Sequence, residues 1–214
     1  MTRDIAPSAV IHPGVALPDE ACIEDFVIVG KPARPGVRKE TVIGEGCYLR
    51  SHTVIYSGNR IGDGFQTGHG VLLRDDNVIG DGCSVGSGSV IEFAVRLGNR
   101  VRVHSQAFIP EHTVIEDDAW IGPNVVITNA RFPMSTKSKA TLQGVTIKRG
   151  AKIGANATIL PGLVIGEDAL IGAGTVVTKD VADRTVVTGN PGVVRKSVDE
   201  LRYDEHPDTP PYPR

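Results

Sequence analysis

Ile79-Gly-Asp-Gly-Cys-Ser-Val85-Gly-Ser-Gly-Ser-Val-Ile91-Glu-Phe-Ala-Val-Arg-Leu97 is the stretch on which the fold turns. Aliphatic residues stand six apart, at Ile79, Val85, Ile91 and Leu97, and small or polar residues fill the intervals. The beat extends outward from Ile43 to Ile127, with Thr67 as its one polar member. It returns at Ile147, Ile153, Ile159, Ile165, Ile171 and Val177, and runs earlier in another phase through Ile5, Ile11, Leu17, Ile23 and Val29. An amphipathic helix repeats at about 3.6 residues and a half-buried strand at about 2. A period of six over this length fits neither. It predicts an all-β solenoid of very short parallel strands, each followed by a turn. Three units make one triangular coil, so residue n+18 lies one rung above residue n.

The fourth position after each aliphatic is small in most units (Thr53, Val71, Ser89, Ala107, Thr113, Ala119, Ala157, Ala169), as a narrow interior requires. Cys47 and Cys83 fall there and read as core filler, and Asn59 and Asn77 read as rungs of a side-chain amide ladder. Phe65 at the same place also reads as structural. The beat breaks twice. Between Val29 and Ile43 about eight residues are extra, near Lys31 to Arg38 in a loop near 31–42, and between Ile127 and Ile147 fourteen are extra, within 130–144. Loops on a rigid scaffold often carry function. Past Val177 the repeat fades, and Gly189-Asn190-Pro191-Gly192 reads as a stop. The solenoid domain is placed at 1–192, and 193–214 is read as a short capping helix over Val193–Arg202 followed by a Pro-rich tail.

The 214 residues carry 23 basic and 25 acidic side chains, a formal charge of −2, with no long basic run to suggest nucleic-acid binding. No apolar stretch has the length of a signal peptide or a membrane span, so a cytoplasmic protein is expected. The three cysteines lack metal-ligand spacing, and no metal is expected.

The units Ile-Gly-Asp-Gly (61–64 and 79–82), Ile-Gly-Pro-Asn (121–124), Ile-Gly-Ala-Asn-Ala (153–157) and Ile-Gly-Ala-Gly (171–174) resemble those of the hexapeptide-repeat acyltransferases. So do Val-Val-Thr-Lys-Asp-Val (176–181) and Gly-Asn-Pro (189–191). The resemblance implies a left-handed parallel β-helix, an exception to right-handed crossovers. It further implies a homotrimer with active sites between subunits and acetyl-CoA as donor. Ile115 through Asn129, followed by a Pro-containing loop, is similar to bacterial N-acetyltransferases of nucleotide-linked amino sugars, notably 3-amino-3-deoxyhexoses. The implied activity is acetyl transfer to the amino group of a UDP- or dTDP-linked sugar, in polysaccharide biosynthesis.

Glu111 and Asn129 are eighteen apart and so share a corner, with Phe93 one rung below and Pro161 one above. A carboxylate beside an amide carbonyl suits an amino group, and in the resembled enzymes a Glu and an Asn at these positions contact the substrate amine without a protein base. An amine with a pKa of about 7.7–8.0 is roughly one-tenth neutral at pH 7, so placement matters more than a strong base. The plainer reading makes Glu111 a solvated turn residue and Asn129 a cap on the loop exit. Ser51, His69, Ser87, Ser105, Pro123, Ala155 and Ala173 share a second corner, where His69 is the rival base. Phe93 and Arg131 are candidate substrate contacts; Ala155, Ala173 and Lys179 are candidate coenzyme A contacts. The alternatives are an O-acetyltransferase or other hexapeptide acyltransferase with a histidine base, a non-catalytic scaffold, and a zinc lyase of the carbonic anhydrase type. His104 and His112 project from different corners by register, against the last.

Overall fold

A computed structural model describes residues 3–37 and 39–212. Arg38 of the first insertion and the last two residues of the tail lie outside the described residues. Strands of two to five residues wind through three faces in turn. The first face has eleven strands, from Asp4–Ile5 to Val193–Ser197, and the second nine, from Val10–Ile11 to Val176–Val177. The third has eight, from Val15–Ala16 to Val164–Ile165. A two-residue strand cannot satisfy its own backbone groups, so each is held by ladders to the coils above and below.

The register is the one the spacing predicts. Leu73 pairs with Ile91, Val85 with Val103 and Leu97 with Ile115, all parallel and eighteen apart. Across the first insertion Val29 pairs with Ile55, and across the second Ile115 pairs with Ile147 and Ile121 with Ile153. The offsets grow by eight and fourteen residues, as the broken beat requires. Both insertions leave the same edge of the prism, between the second and third faces, from Ile28–Lys31 and from Val126–Ile127.

The periodic aliphatics fill the interior, and Leu49, Ile55, Leu73, Ile91, Ile109 and Ile127 are fully buried. Each contributes about 1.5–3 kcal/mol by leaving water. Cys47 and Cys83 are buried beside them, and burial pushes both thiols up to about 11. The amide ladder is present. The Asn77 backbone N–H donates to Asn59 Oδ1 at 2.9 Å, the Val95 N–H to Asn77 Oδ1 at 2.7 Å, and Asn59 Nδ2 donates to the Tyr56 and Arg74 carbonyls. Outside, at the edge between the third and first faces, Asp63, Asp81, Asn99 and Asp117 form a second ladder, each accepting from the backbone N–H one rung below.

The expected helix over Val193–Arg202 is not formed. Val193–Ser197 is a strand, antiparallel to Thr185–Thr188, followed by one 3-10 turn at Val198–Glu200. The strand Thr185–Thr188 would otherwise end the first face with unpaired backbone groups, and the β-branched pair Val193-Val194 satisfies them. Ser197 caps the 3-10 turn by accepting from the Asp199 N–H, and Glu200 accepts from the Ser197 N–H. The tail returns to the first face, where Arg184 donates to the Tyr212 carbonyl and the Lys152 ammonium lies 4.7 Å from the Tyr212 ring.

Candidate active site

The edge that releases both insertions carries the column Phe93, Glu111 and Asn129, one residue per coil. Asn129 Nδ2 approaches the Glu111 carbonyl oxygen at 3.5 Å, a long contact that fixes the two residues as vertical neighbours. All three side chains are half-buried. The Phe93 ring meets His112 edge-on at 5.7 Å, which brings an imidazole next to Glu111. Below, Phe93 closes a groove of about 400 Å³ formed with Ala33, Arg34, Val37 and Lys39 of the first insertion.

The second insertion is pinched at its base. The Gln143 N–H donates to the Asn129 carbonyl at 2.9 Å, and the Gln143 carbonyl accepts from the Gly162 N–H at 3.1 Å. Residues 130–142 therefore stand out from the prism, with one 3-10 turn at Ser138–Thr141. Gly144 is required where the chain re-enters, because a Cβ there would lie 1.9 Å from the His112 carbonyl oxygen. His112 and Gln143 complete this corner; the sequence alone brought His112 forward as a metal ligand, and Gln143 not at all. The eighteen-residue register, continued across the insertion, is the signal that leads to them. Arg131 is exposed on the loop, and Lys179 is exposed at the same edge near the last coil.

His69 stands elsewhere. It follows the strand Gln66–Thr67 at the edge between the first and second faces, with the whole second face between it and Glu111 within one copy of the chain. Its Nδ1 is 2.8 Å from Ser51 Oγ and 3.9 Å from Glu24 Oε2, and its backbone N–H donates to Ser87 Oγ at 3.0 Å. Glu24 also accepts from the Tyr48 hydroxyl at 2.7 Å and the Ser51 N–H at 2.9 Å. Those bonds, Tyr48 first, hold the Glu24 carboxyl below its ordinary range, and the same contact raises Tyr48. Ala155 is half-buried and Ala173 exposed on the upper coils of this edge. Their small side chains leave backbone accessible to an extended ligand. The predicted residues thus form two groups, Phe93/Glu111/Asn129 with Arg131 and Lys179 on one edge, and His69 with Ala155 and Ala173 on another. Among the described residues, no three His, Cys, Asp or Glu side chains are grouped to hold a metal ion, and no helix is long and apolar enough to cross a membrane.

A parallel β-solenoid of six-residue units, three to the coil, defines a class. A family profile described as "Bacterial transferase hexapeptide (six repeats)" matches residues 144–179, and one described as "Hexapeptide repeat of succinyl-transferase" matches 77–105. Over those two stretches the chain carries the hexapeptide repeat of these transferases. A galactoside O-acetyltransferase of Lactococcus lactis is 32% identical over 85 residues, 38% of this chain and 41% of that protein. A dTDP-3-amino-3,6-dideoxy-alpha-D-galactopyranose 3-N-acetyltransferase of Aneurinibacillus thermoaerophilus is 43% identical over 49 residues, 23% of this chain and 26% of the other. The matched stretch is thus less than half the length of either relative. Among solved structures, a Francisella novicida UDP-N-acetylglucosamine acyltransferase superposes with a TM-score of 0.69 at 22% identity, over 90% of this chain and 70% of that one. That likeness concerns the fold.

Proposed function

We propose that this protein transfers an acetyl group from acetyl-CoA to the amino group of a nucleotide-linked (UDP or dTDP) amino sugar, with Glu111 and Asn129 holding the amine. The observation that carries the reading is the stacking of Glu111 and Asn129 on the edge from which residues 130–142 project. The Glu111 carboxylate and the Asn129 amide oxygen accept hydrogen bonds from the amine and orient its lone pair toward the thioester carbonyl. The new C–N bond forms as the C–S bond breaks, and the amine proton passes to the departing thiolate. Phe93 and Arg131 contact the sugar nucleotide. Ala155 and Ala173 let the pantetheine chain approach the backbone, and Lys179 meets a coenzyme phosphate. The same reading takes the coil as left-handed, the assembly as a homotrimer with its sites between subunits, and the location as cytoplasmic. The similarity of a short stretch to an amino-sugar N-acetyltransferase supports it.

A second reading has its own observation. His69, anchored at Nδ1 by Ser51 beside Glu24, resembles an oriented base, and a hydroxyl acceptor needs one. The test is thiol release from acetyl-CoA against nucleotide-linked amino sugars and free galactosides. Glu111→Ala and Asn129→Ala are each expected to lower kcat/KM about 10–100-fold while His69→Ala stays within a few-fold of the parent. Collapse of His69→Ala with intact Glu111→Ala turnover transfers the assignment to base-dependent O-acetylation.

A further inference from the structure

The His69 edge opens onto a groove of about 440 Å³ on the first face, lined by Arg50, Gln66, His69, Ser84, Arg102 and His104 among others. Its lining contains two guanidiniums, two imidazoles and no carboxylate, in a chain whose formal charge is −2. Four other surface grooves each include at least one Asp or Glu. Arg50 is held in place, donating to the Thr67 carbonyl at 2.8 Å with its guanidinium 4.6 Å from the Tyr48 ring. The Arg102 side chain is exposed and makes no hydrogen bond or ion pair with any described residue, its backbone N–H alone donating, to the Ala119 carbonyl at 3.0 Å. Directly above Arg102 in register is Trp120, the single tryptophan, whose indole lies 4.7 Å from the His104 ring. Glu24, the nearest carboxylate to His69, is turned to Tyr48 and Ser51.

We infer that this groove recognises a nucleoside diphosphate, with Arg102 and Arg50 on the phosphates and Trp120 with His104 against the base. Cationic forks match phosphate oxygens, and an indole face stacks on any base. Rungs in a parallel ladder are about 4.8 Å apart, so Tyr48 to Trp120 spans about 19 Å, enough for a nucleoside diphosphate in extended form. The inference rests on the proposed transfer to a nucleotide-linked sugar and identifies where the acceptor's handle lies. Levels agree. Arg102 shares a coil with Glu111, and Trp120 shares the next with Asn129. In a ring of copies with parallel axes, equal levels face each other, so the handle on one copy puts the sugar at the Glu111/Asn129 level of its neighbour.

Coenzyme A also contains a nucleoside diphosphate, so the test separates the two sources. UDP, dTDP, inorganic pyrophosphate and coenzyme A are each titrated calorimetrically into the full chain. Arg102→Ala is expected to weaken UDP and pyrophosphate about tenfold or more, with Arg102→Lys partly restoring both. Trp120→Ala is expected to weaken UDP but not pyrophosphate. Coenzyme A affinity stays unchanged throughout and reports that the variants are folded, and Arg96→Ala on the third face serves as a charge control. UDP binding indifferent to Arg102→Ala, absence of UDP binding at millimolar concentration, or loss of coenzyme A instead of UDP overturns the assignment. Turnover of a nucleotide-linked sugar that ignores Arg102→Ala removes the groove alone. Arg102-dependent UDP binding without turnover of any nucleotide-linked amino sugar removes the transfer reading and leaves the groove.

Discussion

Glu24 accepts hydrogen bonds from the Tyr48 hydroxyl and the Ser51 backbone N–H and lies beside His69, and the first two hold its carboxyl below the ordinary value of 4.5. A folded-state pKa lower than the unfolded one means that folding favours the ionised form. Its contribution is complete above about pH 4.5 and is lost as the pH falls through the folded value. Thermal melts of the parent and Glu24→Gln between neutral pH and pH 3 check this. The gap between their midpoints is expected to narrow on acidification, because the parent alone loses a charged acceptor. A gap that stays constant down to pH 3 rejects the idea. Asn59 and Asn77 illustrate the opposite environment, since each is buried and bonded to backbone groups one rung away. Their role was legible because an amide at a small inward position has few other partners.

The second insertion is an element added to the prism rather than part of it, closed at its neck by the Gln143–Asn129 hydrogen bond. Replacing residues 130–142 with a short Gly-Ser link is expected to shift the melting midpoint by only a few degrees, since the loop buries none of the core aliphatics. Acceptor turnover is expected to disappear. A collapse of the fold instead, read by circular dichroism, refutes this division of labour. The position of both insertions was legible to within a residue or two, because a strict period makes any excess countable. The register of Phe93, Glu111 and Asn129 followed from the same count. The segment Val193–Ser197 was not legible as a strand, since its partner is the open edge of Thr185–Thr188 and nothing local announces that edge. Glu24 escaped for a related reason. It meets Ser51 across the offset of the first insertion, outside the simple eighteen-residue count.

The whole molecule is a stack in which nearly every contact joins neighbouring coils, so its cohesion is close to a sum over adjacent pairs. The pair joined across the second insertion departs furthest from the others. Bonds from Val114, Trp120 and Val126 to the carbonyls of Val145, Ala151 and Ala157 close loops lengthened by the fourteen inserted residues. Widening each closure from eighteen to thirty-two residues costs about 0.5 kcal/mol in chain entropy. Amides of Val114, Trp120 and Val126 are therefore expected to exchange with deuterium together, and faster than those of Arg96 and Arg102, which bond within the uninterrupted run. Equal protection on both sides dismisses the effect. If it holds, the column has a natural parting plane between the coil of Asn129 and the coil of Ala155. Under the proposed transfer, breathing there would loosen the grip on one ligand without disturbing the other, so departure of the spent thiol and of the acylated product would be timed separately.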